Sequence, residues 1–142
     1  MNSGSHMFIA NGKKDNPISN MLSKKKFTHF LPKISSLDAK KKWIIGSLNS
    51  NGTIKIDDGA AKALLNGKSL LAAGVNKING SFEKGENVLI LDQNNNQLAR
   101  GLSSFSSEEI DKIKGKQSKE IEKILGYLSK TEIIHKDDMV LL

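Results

Sequence analysis

Residues 53–75 read TIKIDDGAAKALLNGKSLLAAGV and decide the fold. Thr53–Ile56 alternates polar and apolar residues, which is typical of a half-buried strand. Asp57 or Asp58 can cap the short apolar helix that follows, and we favour Asp58 as the cap. Gly67 suits the left-handed position that ends a helix. The stretch therefore predicts a strand and a helix, followed by a further strand over Ser69–Val75.

Downstream, short apolar runs alternate with turn residues. Strands are predicted over Lys77–Phe82, Glu86–Asp92, Gln97–Ser104, Ile133–Ile134 and Met139–Leu142. Ser106 and Glu109 form a capping box, so a helix should begin there with Ile110 and Ile113 facing inward. Ser118 should begin a second helix, with its apolar face formed by Ile121, Ile124, Leu125 and Leu128. Many short strands with one early helix and a late helix pair predict a mainly β, α+β fold, a small and partly closed barrel.

Upstream, Trp43–Leu48 is apolar enough for a buried strand, and 49–52 would be its hairpin connection to Thr53. Residues 31–42 are polar and lysine-rich, which is typical of a linker. Phe8–Ala10 predicts a short strand. Asn16 and Pro17 then suit the N-cap and first residue of a helix.

The first seven residues, MNSGSHM, look like the remnant of an expression tag and are left out of the fold prediction, His6 included.

Positive charge is concentrated in the N-terminal segment. Residues 1–42 hold nine lysines and two carboxylates, a net of +7. Residues 43–142 hold twelve lysines and Arg100 against thirteen carboxylates, a net of zero. Arg100 is the one arginine of the chain, so the sequence offers a single guanidinium group for bidentate recognition of phosphate. The lysine runs at 24–26 and 40–42 could bind nucleic acid, but a solvated linker is the simpler interpretation.

Reactive chemistry is not visible in the sequence. The chain has no cysteine, and His29 and His135 are far apart without a carboxylate cluster between them, so we expect no metal site. Gly67-Lys68-Ser69 resembles the end of a phosphate-binding loop, but Lys62 stands where that motif needs glycine. We expect no catalytic or cofactor-binding residue. Apolar runs of four residues cannot cross a membrane and no leader opens the chain, so we expect a cytoplasmic location.

Several glycine-bounded motifs together resemble one family. They are Trp43–Gly46, Asp57–Leu64, Lys68–Val75, Ala99–Leu102, Ile124–Tyr127 and Ile134–Leu142. In order and spacing they are similar to the C-terminal PUA domain of bacterial glutamate 5-kinases. Phe8–Gly12 resembles the last strand and turn of their amino-acid-kinase domain. The resemblance implies a kinase-domain tail at 8–30 and a PUA pseudobarrel at 43–142. The tag remnant at 1–7 and the linker at 31–42 complete the predicted division of the chain.

The resemblance also implies a function. Glutamate 5-kinases transfer the γ-phosphoryl group of ATP, with magnesium, to the side-chain carboxylate of glutamate in the first step of proline biosynthesis. Their catalytic residues lie upstream, so these 142 residues should be non-catalytic and act on regulation or assembly, with the kinase domain and further copies as partners. Other PUA domains bind RNA, and the corresponding face here would consist of Asp58, Gly59, Lys62, Gly67, Lys68, Leu71 and Arg100. The neutral charge of residues 43–142 makes that alternative the weaker one.

Overall fold

The computed structural model describes residues 5–13, 15–23, 27–46, 50–127 and 130–142. The chain divides into two units, Met1–Lys40 and Lys41–Leu142. Among the described residues, no helix is long and apolar enough to cross a membrane.

The first unit contains a two-stranded antiparallel ribbon and a short helix. Strand β1 (Met7–Ala10) pairs with β2 (Phe27–Phe30), and α1 (Pro17–Leu22) lies between them in the chain. The predicted strand at Phe8–Ala10 and the helix start at Pro17 are confirmed, with Asn16 as N-cap at φ 52°. The pairing of β2 was not predicted. None of the described residues up to Lys40 is buried.

Helix α2 (Ser36–Gly46) corrects the prediction of a strand from Trp43. Ser35 begins this helix, because its Oγ accepts a hydrogen bond from the backbone N–H of Asp38 at 3.0 Å and donates one to the Asp38 carboxylate at 2.7 Å. Three lysines follow, and long unbranched side chains favour a helix. Residues 36–42, predicted as linker, are therefore helical. Residues 43–46, predicted as the first strand of a hairpin with Thr53–Ile56, belong to the same helix. Ser47, Leu48 and Asn49 lie outside the described residues.

The second unit holds the remaining elements. In chain order they are β3 (Gly52–Ile56), α3 (Asp58–Leu65), β4 (Leu70–Leu71), β5 (Val75–Gly80), β6 (Asn87–Leu91), β7 (Gln97–Leu102), α4 (Ser107–Ile113), α5 (Ser118–Leu125), β8 (Glu132–Ile134) and β9 (Met139–Leu141). Two 3₁₀ turns, Ala72–Gly74 and Lys136–Asp138, precede β5 and β9. The mainly β, α+β fold class is confirmed.

A five-stranded sheet in the order β5-β3-β6-β7-β9 forms the centre of this unit, and β4 pairs with β8 in a second, small sheet. Strand β3 runs antiparallel to β5 and parallel to β6. Alternate strand residues such as Ile54, Ile90 and Ala99 are fully buried, as the period of two requires. The core is mainly aliphatic, with Phe82 and Phe105 as its aromatic members among the described residues.

Both C-terminal helices agree with the sequence. Ser106 and Glu109 form the predicted capping box of α4, and Ile110 and Ile113 are fully buried. Helix α5 begins at Ser118, but Gln117 is its N-cap. Within α5, Ile121 is buried and Leu125 partly so, whereas Ile124 is exposed. Leu128 lies outside the described residues.

The predicted strand at Ser69–Val75 is wrong over most of its length. It pairs with β8 at Leu70 and Leu71 and tightens into the 3₁₀ turn at 72–74, and Val75 then begins β5. Glycine at 74 lets this turn approach α3, because a Cβ there would collide with the Ala60 Cβ. The Ala72 carbonyl lies in this turn and accepts a hydrogen bond from the Gly115 N–H at 2.7 Å.

Candidate functional site

The candidate site begins where β3 runs into α3. Asp57 is the N-cap, and its Oδ1 accepts from the Ala60 N–H at 2.7 Å. The Asp57 N–H in turn donates to the Gly74 carbonyl at 3.0 Å. Asp58 is the first residue of the helix, so the preference for Asp58 as the cap is wrong. Asp57 thus ties the start of α3 to the 3₁₀ turn after β4.

The other end of α3 positions Lys68. Gly67 has φ +71°, and its N–H donates to the Leu64 carbonyl at 2.9 Å. The Lys68 N–H donates to the Ala63 carbonyl at 3.0 Å, which completes a Schellman motif. Gly67 is therefore a helix stop, as predicted, and the reversal brings Lys68 back beside the helix.

An open groove of about 570 Å³ lies between α3 and the segment 68–74. Its lining is mostly small and apolar. The lining residues are Asp57, Gly59, Ala60, Ala63, Lys68, Ser69, Leu71, Ala73, Gly74 and Glu132. Small side chains on both walls leave room for a ligand or a partner side chain, and Leu71 is 43% exposed beside them.

Three residues of the predicted face line this groove: Gly59, Lys68 and Leu71. Asp58 and Lys62 lie on α3 but outside the lining. Their neighbours Ala60 and Ala63 line the groove instead.

Gly67 lines a different cleft, beside β9. Arg100 lies on β7 opposite Leu89 and Val140. Its chain neighbours Ala99 and Gly101 are buried, so the alternation of the strand puts Arg100 on the other face of the sheet. Arg100 therefore does not line the groove.

The charged residues of the groove disfavour an anionic ligand. Lys68 is the single cation among the described lining residues, and Asp57 and Glu132 are carboxylates. Asp57 is engaged as a helix cap. Among the described residues, no group of three or more His, Asp or Glu side chains could hold a metal ion. The geometry therefore favours contact with an apolar or neutral group.

The sequence predictions missed part of the groove. Ala60 and Ala63 were not predicted; together with the predicted Gly59 they are small residues at helical spacing, and this pattern could have indicated one wall. Glu132 comes from β8, which pairs with β4 through Leu71. That contact joins distant parts of the chain and has no local signal.

Comparison with known proteins gives a family match over residues 52–125, to the model described as PUA domain. A glutamate 5-kinase of Pelagibacter ubique (strain HTCC1062) is 60% identical over 138 residues, which are 97% of this chain and 38% of that protein. The glutamate 5-kinase of Thermoanaerobacter sp. (strain X514) is 46% identical over 99% of this chain and 38% of its own length. The chain thus spans less than two fifths of these curated relatives.

Solved structures give weaker likenesses. A PUA domain of Aeropyrum pernix K1, solved as a tartrate complex, matches 60% of this chain and 41% of its own with 23% identity and a TM-score of 0.46. A conserved PUA domain protein of Thermoplasma acidophilum matches 92% of this chain and 93% of its own with 17% identity and a TM-score of 0.43.

The Thermoanaerobacter alignment bears on the first residues. Coverage of 99% leaves one or two of the 142 residues unmatched, so the alignment reaches into Met1–Met7. Met7 itself is the first residue of β1 and pairs with Phe30. The assignment of residues 1–7 to a tag remnant stays a prediction.

Proposed function

This chain belongs to the PUA domain family, and from that premise we propose that it is the accessory C-terminal part of a glutamate 5-kinase. The observation that supports this proposal is the 60% identity to the Pelagibacter enzyme, which extends through both units of the chain. A PUA domain from another kind of protein would be expected to lose similarity before β3. Here the similarity includes the ribbon of β1 and β2.

The complete enzyme would transfer the γ-phosphoryl group of ATP to the side-chain carboxylate of glutamate, in the first step of proline biosynthesis. ATP and magnesium would be bound by the upstream kinase domain, and we propose no cofactor for these 142 residues. Such an enzyme needs the ATP and glutamate of the cytoplasm, which is the location we propose for it.

The contribution of the PUA unit would be made by contact, through regulation or assembly of the kinase. Residues 43–142 are electrically neutral, and the groove offers mainly apolar surface. Homo-oligomers of the complete enzyme are the expected form. Fold alone does not decide between these roles, so an experiment must.

A chimera tests the proposal. The upstream part of the Pelagibacter enzyme is joined to this chain, and ATP-dependent activation of glutamate is trapped with hydroxylamine. The chimera should be active, and this chain alone should be inactive. The upstream part alone should differ from the chimera in its response to proline or in its mass by sedimentation. An inactive chimera, or identical behaviour with and without this chain, would contradict the proposal.

RNA binding is the second candidate, and one observation favours it. Lys68 lies at the groove, and Lys62 is on the helix that forms one wall. A titration with structured RNA at two salt concentrations would detect phosphate contacts, because each contact adds about one to the slope of log affinity against log salt.

The matched variants for that titration are Lys62→Glu and Lys68→Glu, with Lys77→Glu on β5 as the control. RNA binding through this face requires that the first two variants weaken binding and reduce the salt slope while the control leaves both unchanged. Absence of binding, or equal loss in all three, would exclude this face.

A further inference from the structure

The groove between α3 and the segment 68–74 is lined by two opposite charges that do not pair. Lys68 and Glu132 both line it. The Lys68 ammonium and the Glu132 carboxylate are more than 4.0 Å apart, so they form no ion pair with each other. Among the described residues, neither of these side chains has another hydrogen-bond or ion-pair partner. Asp57, the other charged lining residue, is engaged as the cap of α3.

The backbone fixes the positions of both charged residues. Leu71 of β4 pairs with Glu132 of β8. Lys68 precedes Leu71 by three residues, which is at most about 10 Å of extended chain. The Schellman motif holds the Lys68 backbone, and the Ser69 Oγ next to it accepts a hydrogen bond from the Lys136 N–H at 3.0 Å. The two charged side chains therefore border one groove at a separation that a small molecule can span.

Most of the remaining lining is small and apolar. Ala60 and Ala63 line the groove from α3, Ala73 lines it from the 3₁₀ turn, and Leu71 is 43% exposed beside them. The volume of about 570 Å³ lies within the range of small-molecule sites, which combine apolar walls with a few polar groups. The groove therefore suits a small ligand that has both an aliphatic part and charged groups.

The two charges select among the kinds of small ligand. An anion would be repelled by Glu132, and a cation would be repelled by Lys68. A wholly apolar molecule would remove both charges from water without giving either a partner, which is costly. A zwitterion can place its carboxylate at Lys68 and its ammonium at Glu132, and both hydrogen bonds would then be charge-assisted.

We propose that this groove binds a free aliphatic α-amino acid. Its carboxylate lies at Lys68, its ammonium lies at Glu132, and its side chain packs on the alanines and Leu71. The binding is a property of the second unit, whereas its regulatory meaning rests on the proposed function. In the complete enzyme, the amino acid held here would be an effector of the kinase.

An NMR titration of the isotope-labelled chain tests the site, with L-valine, L-leucine and L-proline as probes. At least one of them should shift the backbone amide signals of the residues that line the groove. Two matched compounds follow for the amino acid that binds best: its amide, which lacks the carboxylate, and the corresponding acid without the amino group. Each should bind at least about tenfold more weakly, because each lacks one hydrogen bond to a charged group.

Charge variants test which residues hold the ligand. Lys68→Glu and Glu132→Gln should each weaken binding at least about tenfold, since each removes one charged partner. The matched controls are Lys77→Glu on β5 and Glu122→Gln on α5, which lie outside the groove and should leave binding unchanged. Circular dichroism checks that every variant folds.

A filling variant tests whether the apolar part of the ligand occupies the groove. Ala63→Leu adds a larger side chain to the α3 wall and should abolish the amide shifts at the same ligand concentration. If this variant does not fold, Ala73→Leu replaces it, because Ala73 is exposed and can accept a larger side chain without repacking the core.

The outcomes separate this inference from the proposed function. Absence of shifts with all three amino acids overturns the site and leaves the proposed function standing, because the chimera tests that function by its own activity. Equal binding of the amide and of the acid without the amino group, or binding unchanged in Lys68→Glu and Glu132→Gln, also overturns the site. An inactive chimera together with selective binding by this chain supports the site and contradicts the proposed function.

Discussion

The two units of the molecule use apolar strands in opposite ways. In the second unit, Ile54 and Ile56 are fully buried while Lys55 between them faces outward. In the first unit, consecutive residues Phe8 and Ile9 are 45% and 54% exposed. Both faces of the β1–β2 ribbon are therefore apolar and uncovered within that unit.

The difference follows from the strand patterns. An alternating strand needs one packed face, and β3 packs Ile54 and Ile56 into the core of the second unit. A continuous apolar run such as Phe8–Ala10 is typical of a strand covered on both faces, as in an α/β domain. The first unit thus has a strand pattern that is typical of coverage on both faces, and it does not cover those faces itself. The second unit, in contrast, forms its own core.

The largest test of this comparison is a pair of isoleucine substitutions. Ile90→Ala, at a fully buried position on β6, should lower the free energy of unfolding by about 2–5 kcal/mol. Ile9→Ala, at 54% exposure, should change it by less than about 0.5 kcal/mol. Urea unfolding followed by circular dichroism measures both. Equal losses would mean that the ribbon is as well packed as the barrel.

A smaller effect is expected at Ile44, which lies in the last turn of α2 and within the second unit. Asn87→Ala removes the donor to the buried Ile44 carbonyl and should cost about 1–3 kcal/mol of unfolding free energy. The control is Asn79→Ala, whose side chain makes an exposed contact of 3.4 Å to the Thr53 hydroxyl. If the two variants lost equal stability in urea, α2 would not be anchored through Asn87.

Helix capping gives a smaller effect again. Asp57→Ala should destabilise the second unit by about 1 kcal/mol, because the Ala60 N–H loses its acceptor. Asp58→Ala, one residue inside the same helix, should cost less, since it removes only a favourable charge in the first turn. Thermal unfolding of the two variants decides between them. A larger loss for Asp58→Ala would reverse the assignment of the cap.

The smallest effect concerns acid. Burial tends to raise the pKa of Glu109, but hydrogen bonds from the Tyr127 hydroxyl and the Ser106 N–H outweigh it and hold that pKa below its usual 4.5. A lowered pKa stabilises the folded state at pH above the unfolded value, and the gain is lost as pH falls through the folded value. Tyr127→Phe should therefore raise the Glu109 pKa, which NMR titration of its carboxyl measures.

The same variant gives a stability check. The difference in unfolding free energy between Tyr127→Phe and the parent should be small, because the Tyr127–Glu109 hydrogen bond lies at an exposed site, and its pH-dependent part should disappear at low pH. In a Glu109→Gln background the pH-dependent part should be absent throughout. A difference that stayed constant with pH in the original background would show that Tyr127 acts through packing alone.

Local chemistry in the sequence was sufficient to predict much of the second unit. The Ser106–Glu109 box, the Gly67 stop and the alternation of β3 each depend on neighbouring residues, and all three are present. The prediction of a strand over Trp43–Leu48 fails where α2 extends to Gly46, because a short apolar run fits either a strand or a helix. The Ser35 cap, which decides for helix, is also local and was overlooked.

The groove could be predicted only in part. Its α3 wall, including Gly59, follows from the sequence of one helix. Its other side depends on Glu132 meeting β4, and the position of Arg100 depends on which face of β7 points to the core. Those relations arise from pairing between distant strands, and no window of adjacent residues contains them.

The pairing of β4 with β8 has a consequence for folding kinetics. Leu70 lies opposite Ile134, sixty-four positions away, and the ladder is only two residues long on β4. So short a ladder cannot compensate for closing so long a loop, and non-local topologies fold slowly. Strands β6 and β7, which are joined by a tight turn, should therefore pair early in folding. The pairing of β4 with β8 should form last and should be the first part of the barrel to open.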